Sequence, residues 1–336
     1  MVMAHIAIIG PEAAAAQVLV DSIEERGVDC EALTLLSDAP YDAEELTYQK
    51  RKLLPQAVVD FDFGQADIVF LMGAVDESVI QSARGEACYV IDCRADVARD
   101  GVEASPVIPD VNASLLADVK PGDIVRAPCS SSVMLSLILN PLGALAAIRS
   151  VSVCCHLPAI RRDKEGVDEL VGQTARLMNG LPAEKKIFSE QIAFNVLPGD
   201  SVRDEQGNSI EEAAITSDVR QVLGQEAMLL SATCLHVPVF YSQSMVVNVE
   251  FAEPVSVGAI SSSLKKVDGV RVSNSAKTVP TAVSDMLSSG ELVISRIRQV
   301  SGSDRHFCLW SVADELRRGV AVNAVQIAEI LIKSYL

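Results

Sequence analysis

The sequence predicts an α/β chain built on two sheets: a doubly wound parallel sheet, then a central α+β domain whose sheet is mixed or antiparallel. Two features carry that prediction. Early in the chain, short apolar runs at His5–Gly10, Ala32–Ser37, Ile68–Gly73 and Cys88–Cys93 are separated by helical patterns, as parallel crossover units require. Beyond about Leu145 the strand-like runs lengthen and spread apart, as in Leu229–Val239, Met245–Phe251, Glu291–Val300 and His306–Val312. They alternate less strictly with helices, which suits an α+β arrangement.

Composition narrows the functional classes. A chain of 336 residues has room for two domains with a sizeable core. Hydrophobic content of 49% and a mean hydropathy of +0.28 fit a well-buried protein. No apolar run reaches the length of a membrane span, and the N-terminus lacks a basic segment followed by a signal-type core. The net charge of −17, with no basic block, argues against nucleic acid as a partner. Eight cysteines form no regular framework and no Cys-x-x-Cys pair, so neither disulfides nor a bound metal is expected, and the reducing cytoplasm is the expected compartment.

The first strand ends at Gly10 and is followed by Pro11 and an alanine-rich helix through about Glu25, the shape of an opening β–turn–α unit of a dinucleotide fold. Its phosphate chemistry is poor. Only the first glycine of a Gly-rich loop is present, Glu12 puts a carboxylate where a pyrophosphate would sit, and Pro11 removes an N–H. The second strand ends in Ser37-Asp38. Asp38 suits either a ribose 2′-hydroxyl, which would exclude a 2′-phosphate, or a plain loop or cap role. The stretch from Pro106 to Asn112 reads as an irregular, proline-bounded loop, and Ile124-Val125 as the strand closing the sheet. Then comes Pro128-Cys129-Ser-Ser-Ser132 at the start of a long apolar helical pattern. A cysteine there can be a thiolate favoured by a helix N-terminus, or simply a buried residue at a strand–helix junction. In the second part, helices are expected near 165–178 and 210–223, and one apolar helix spans 319–336. The resulting division is 1–128, 129–316 and a terminal helix, 317–336, returning to the first domain.

Several motifs in order along nearly the whole chain resemble the aspartate-semialdehyde dehydrogenase family: Pro109-Asp-Val-Asn112, Pro128-Cys129-Ser130, Gln191-Ile-Ala-Phe-Asn195, and Ser231-Ala-Thr-Cys234 running into Val237-Pro-Val-Phe-Tyr241. Leu309-Trp-Ser-Val-Ala-Asp314, Arg317-Arg-Gly319 and Asn323-Ala-Val-Gln-Ile-Ala-Glu329 complete the set. The resemblance implies an N-terminal Rossmann-type nucleotide-binding domain and an α+β domain that binds substrate and makes a homodimer. It also implies a cysteine nucleophile, a glutamine, a histidine acid–base, charged substrate-holding residues and NAD or NADP as hydride acceptor.

Tried residue by residue, the resemblance puts Cys129 at the nucleophile position but leaves much of the remaining chemistry replaced. Leu157 stands at the glutamine position and Gln243 at the histidine position, where an amide cannot shuttle a proton. Glu212 matches the substrate glutamate, but its lysine partner is Ala214, and His236 stands for a substrate arginine. The phosphate arginine falls on Arg99 in one register and Ala98 in the other, and the glycine turn becomes Ile160-Arg-Arg-Asp163, where two arginines fit a glycine turn poorly. On the cofactor side Gly10, Ser37, Asp38 and Asn323 are the matching positions, with no arginine beside Ser37, so binding of NAD or NADP is expected to be weak. The substitutions gather at the chemistry while the packing motifs stand. The favoured reading is a dimeric binding or regulatory paralogue without dehydrogenase activity. Two others stay open: an NAD(P)-dependent oxidoreductase of the same family with a different aldehyde or acyl substrate, and a Cys129-dependent non-redox acyl transferase or esterase.

Overall fold

A computed structural model describes residues 3–41, 43–94, 104–199, 202–273, 279–283 and 290–335. It divides into two compact units, one made of 1–129 with 320–336 and the other of 130–319.

The first unit holds a parallel sheet. Its elements are β1 (Ala4–Ile9), α1 (Ala14–Arg26), β2 (Cys30–Ser37), the short β3 (Leu46–Tyr48), β4 (Arg51–Leu53) and β5 (Gln56–Ala57), β6 (Ile68–Leu71), α2 (Glu77–Gly85), β7 (Tyr89–Asp92), α3 (Pro109–Asn112) and β8 (Ile124–Arg126). The strand order is β5-β2-β1-β6-β7-β8, every pair parallel, while β3 and β4 form a separate hairpin. β1, β6 and β7 are buried almost throughout, which is why they read as continuous apolar runs. β1 is where the order reverses, with β2 on one side and β6 on the other, so Gly10 ends the strand at the topological switch point. The C-terminal helix, Val322–Tyr335, packs on α1 and α3, and its Glu329 carboxylate takes both Nε and Nη2 of Arg26 at 2.9 and 2.8 Å.

The loop expected at Pro106–Asn112 is instead partly helical. Pro109 opens a single α-helical turn, where its missing N–H costs nothing. Asn112 closes the turn by accepting from the Ile108 N–H (2.8 Å) and donating to the Pro106 carbonyl (2.9 Å). A 3₁₀ stretch, Ala113–Asp118, follows.

The second unit contains α4 (Ser130–Gly143), β9 (Ile148–Leu157), α5 (Asp163–Met178), β10 (Leu197–Pro198), α6 (Ile210–Leu223), β11 (Leu229–His236), β12 (Gln243–Phe251), α7 (Val257–Leu264), β13 (Val270–Ser273), β14 (Leu292–Gln299) and β15 (His306–Ala313). Its sheet runs β10-β11-β9-β12-β15-β14-β13 and is mixed: β9 and β11 are parallel, while β12 is antiparallel to both β9 and β15. α4 is buried on all sides through its first three turns and packs on α6 and α7, so it reads as apolar without a polar face. β9 and β12 alternate buried with more exposed residues. Ser152 and Asn248 face each other on the open side, in a groove of about 680 Å³ also lined by Leu229, Ser231 and His306.

Several expected boundaries move, among them the starts of β2, at Cys30, and β12, at Gln243. β11 stops at His236 and not at Val239: the Val237 N–H still reaches the Leu157 carbonyl at 3.0 Å, but Pro238 has no N–H to continue the ladder. The expected helix over 319–336 is preceded by a wide π-type turn, Glu315–Ala321, and the α-helix itself begins at Val322. Within the second unit Gly319 touches the start of α4 so closely that a Cβ would lie 2.2 Å from the Ser130 Cβ.

Gly10 gives the stability test for the first unit. Its φ is +84°, and an added Cβ would sit 2.4 Å from the backbone N of Gly73, whereas Gly27 (φ +64°) has open space around it. Gly10→Ala should cost more than the ~1–3 kcal/mol of a left-handed non-glycine alone, and Gly27→Ala should stay within that range. Urea unfolding midpoints of the two variants check the difference.

Candidate functional site

In the first unit, the loops after β1 and β6 meet backbone to backbone at Gly10 and Gly73. Glu12 closes over this crest, with its Oε1 3.4 Å from where a Gly73 side chain would begin. Ser37, at the end of β2, is buried and accepts from the Ala39 N–H at 3.1 Å, while Asp38 is exposed. Asn323, in the first turn of the C-terminal helix, is 1% exposed and donates to the Val107 carbonyl at 3.1 Å. Its Oδ1 has no hydrogen-bond donor. Arg99 and Ala98 lie outside the described residues. Nearby, Asp92 at the end of β7 is fully buried and accepts from the backbone N, Nε and Nη2 of Arg94 at 2.9–3.0 Å. Cys129 closes this unit as a buried residue directly before α4 and forms no disulfide. Arg126, three residues earlier, points its Nε at the Ala104 carbonyl, 3.0 Å away.

The second unit gathers the other candidate positions along the ends of β9, β11 and β12. Gln243 is the first residue of β12 and is completely buried. Its amide spans the first turn of α4: Oε1 accepts from the Ser130 hydroxyl at 3.0 Å and Nε2 donates to the Ser131 hydroxyl at 2.7 Å. Leu157 and His236 are buried cross-strand partners at the ends of β9 and β11. The His236 ring is stacked edge-on against Phe188, with centroids 5.6 Å apart.

Glu212 does not face His236. It is the last partner of a capping box, accepting from the Ser209 N–H at 2.8 Å, while its other oxygen takes the Cys234 N–H at 2.8 Å. Both oxygens are used in holding the start of α6 against β11. The carboxylate beside His236 belongs to Glu211, which is 5% exposed. Its Oε1 pairs with the Arg161 Nε at 3.0 Å, and its Oε2 lies 3.9 Å from the His236 Nε2 with no hydrogen bond. A terminal nitrogen of Arg162 approaches the same ring nitrogen at 3.4 Å. The Ser209-x-x-Glu212 spacing is the signal that separates the two glutamates, because a capping box commits the second to backbone.

The two arginines fit their turn. They lie in a 3₁₀ turn, Ala159–Arg162, and the glycine-type backbone falls on Asp163, with φ 60° and ψ −164°. Ser242 likewise carries a left-handed φ of 68°, directly before Gln243. Glu315 joins the cluster from the π-type turn. It is 3% exposed, its Oε2 has no donor, and it lies within electrostatic reach of Arg161 and Glu211. Burial pushes its carboxyl up to about 8, against a smaller opposing pull from Arg161.

Comparison with known proteins gives this arrangement relatives. The family described as "Semialdehyde dehydrogenase, dimerisation domain" matches residues 140–318. The chain is 30% identical over 333 residues to an aspartate-semialdehyde dehydrogenase of Shewanella violacea, covering 98% of both. It is 32% identical over 334 residues to a USG-1 protein homolog of Pseudomonas aeruginosa, covering 99% of this chain and 98% of that one. The solved structure of aspartate semialdehyde dehydrogenase II from Vibrio cholerae, complexed with ASA, superimposes with a TM-score of 0.94 at 29% identity, and all of both chains is covered.

Glu315 makes the cluster pH-dependent. Its folded-state value, about 8, lies above the ordinary 4.5, so the stability it allows is complete at acid pH and is lost as pH rises toward and through 8. Glu315→Gln copies the protonated form and should remove this loss, so the variant should be the more stable protein at pH 8.5. Equal urea midpoints for wild type and variant across pH 5–8.5 would count against a buried, protonated Glu315.

Proposed function

Because the chain belongs to the aspartate-semialdehyde dehydrogenase family, we propose that it keeps the family's scaffold as a dimeric binding or regulatory protein and lacks the dehydrogenase reaction. One observation carries the reading. At the position of the family's acid–base stands Gln243, a fully buried amide whose two ends are held by Ser130 and Ser131. Such a group does not titrate near neutrality and cannot take a proton from a substrate. Leu157, buried at the glutamine position, offers an adduct no hydrogen bond. Cys129 remains as the nucleophile position, and His236 with Glu211 as the ligand-facing pair.

The nucleotide loop fits NADP poorly. Glu12 lies over the glycine crest where phosphates would need N–H donors, and Ser37-Asp38-Ala39-Pro40 supplies no cation for a 2′-phosphate. Asn323, with its open Oδ1, could still accept from an amide-bearing ring. We therefore assign the first unit a nucleotide-binding-like role with weak affinity and no preference for NADP over NAD. The second unit takes ligand binding and dimerisation.

Activity is tested by phosphate-dependent reduction of NADP with aspartate semialdehyde. Wild type and Gln243→His should both be inactive. A histidine restores at most about 10²–10⁴ in rate, whereas positioning is worth on the order of 7–11 kcal/mol. The combined variant Leu157→Gln, Ala214→Lys, His236→Arg, Gln243→His should exceed the sum of its singles. Clear turnover by wild type would overturn the reading.

Dimerisation rests on the match to a dimerisation domain and on the open face of the β9–β12 sheet, with its groove of about 680 Å³. Light scattering at micromolar concentration should give twice the chain mass of 35.8 kDa, and a purely monomeric mass would refute it.

A further inference from the structure

Cys155 and Cys234 are register partners on the parallel strands β9 and β11, so their side chains leave the same face of the sheet. That face is the packed one, and both residues are 0% exposed. The two thiols meet directly, through a hydrogen bond between them, and neither is in a disulfide. Cys154 stands one residue earlier in the strand, so it points to the other face and is half-buried there. Partners on neighbouring strands lie about 4.8 Å apart. That spacing falls inside the ~4.4–6.8 Å between Cα atoms that a disulfide accepts.

We propose that Cys155 and Cys234 are a redox-modification site: a small neutral peroxide converts the pair into a disulfide tying β9 to β11, and a dithiol reductant reopens it. The step balances. One thiol, as its thiolate, attacks a peroxide oxygen and the O–O bond breaks. The departing hydroxide takes up that thiol's proton and leaves as water, and the sulfur becomes a sulfenic acid. The second sulfur then displaces the sulfenic hydroxyl: the S–S bond forms, the S–O bond breaks, and a second water leaves with the second thiol's proton. Each sulfur gives up one electron, and the peroxide is reduced to two waters. The reductant returns two electrons and two protons, and becomes a disulfide itself.

Electrostatics favour this product over a bound metal. The Cys234 thiol is pushed up, first by its hydrogen bond to Cys155, then by burial and by the negative charges of Cys155, Glu211 and Glu212. A metal would need both thiols ionised, against that pull, whereas a disulfide is as neutral as the thiols it replaces. Among the described residues no group of three His, Cys, Asp or Glu side chains offers a metal site. Access is from the side of β11. Its outer neighbour β10 pairs with Leu235 and His236 alone, and a strand so thinly covered is where local opening begins. The cross-link would lie two residues before Leu157 and His236, and the Cys234 N–H is the one that Glu212 holds at 2.8 Å. Oxidation therefore stiffens both strand ends and the seat of α6.

The test treats the native full chain with hydrogen peroxide, blocks the remaining thiols under denaturing conditions and maps its tryptic peptides by mass spectrometry. The peptide that carries Cys154 and Cys155 should be joined to the one that carries Cys234, and fragmentation between the adjacent cysteines should assign the bond to Cys155. Cys154→Ser should keep the cross-link. Because the loop closed is long, the urea midpoint should rise on oxidation and fall back with dithiothreitol. In Cys155→Ala and Cys234→Ala both the cross-link and the shift should be lost. A bond between Cys154 and Cys155, sulfur acids without a cross-link, a cross-link abolished by Cys154→Ser, or a midpoint that oxidation does not raise would overturn the proposal. Mapping and midpoints on wild type decide the matter should a variant fail to fold.

Discussion

The Gln243 amide is the constraint on which the candidate site of the second unit depends. It joins the first residue of β12 to the first turn of α4, and it does so where neither Ser130, Ser131 nor Gln243 meets water. Three buried polar side chains satisfy one another, and removing any one leaves its partner exposed to the full desolvation cost, about 1–3 kcal/mol. The α4 start is therefore fixed by side chains as well as by its apolar packing. A group so fully used in structure is poorly placed to move protons, and the same bonds that make the amide a good clamp make it a poor acid or base.

The charged cluster beside it follows a different rule. Burying Arg161, Glu211, His236 and Glu315 together is tolerable only because most of the charge is paired or neutralised. Arg161 balances Glu211, and burial keeps Glu315 protonated. Such a cluster is a weak source of stability. It is better understood as a polarity set aside within an apolar surround, in which an unmet oxygen is costly.

The sheets were legible in the sequence because burial imposes a period. β1, β6 and β7 are buried on both faces and read as unbroken apolar runs, while β9 and β12 alternate. What the pattern missed was set by side chains bonding to backbone. Asn112 builds a helical turn out of a proline-rich loop, and Ser209 with Glu212 builds a cap that leaves Glu211, not Glu212, to face His236. The cap was readable from spacing, and it is what tells the two adjacent glutamates apart. Glu315 had no local signal at all. Beside Asp314 it looks like a solvated charge, and only the π-type turn carries it inward.

Ser242 and Asp163 explain how the site's frame holds independently of the side chains that stand on it. Both have left-handed φ, at a cost of roughly 1–3 kcal/mol each for a residue with a Cβ. Their turns are stapled together: the Ala159 N–H donates to the Val239 carbonyl at 2.7 Å and the Ile160 N–H to the Phe240 carbonyl at 3.0 Å. Behind them Gly166 lets α5 press against the Ala159 carbonyl, so close that a Cβ would lie 2.3 Å from it. With two backbone bonds and a helix closing on them, neither turn can relax without opening the other. The strain is carried by the frame as a whole, so a serine or an aspartate can occupy a glycine conformation without changing the path of the chain. Arg161, Arg162 and Gln243 are then aimed by that path, and the chemistry of the site is decided by which side chains stand on it.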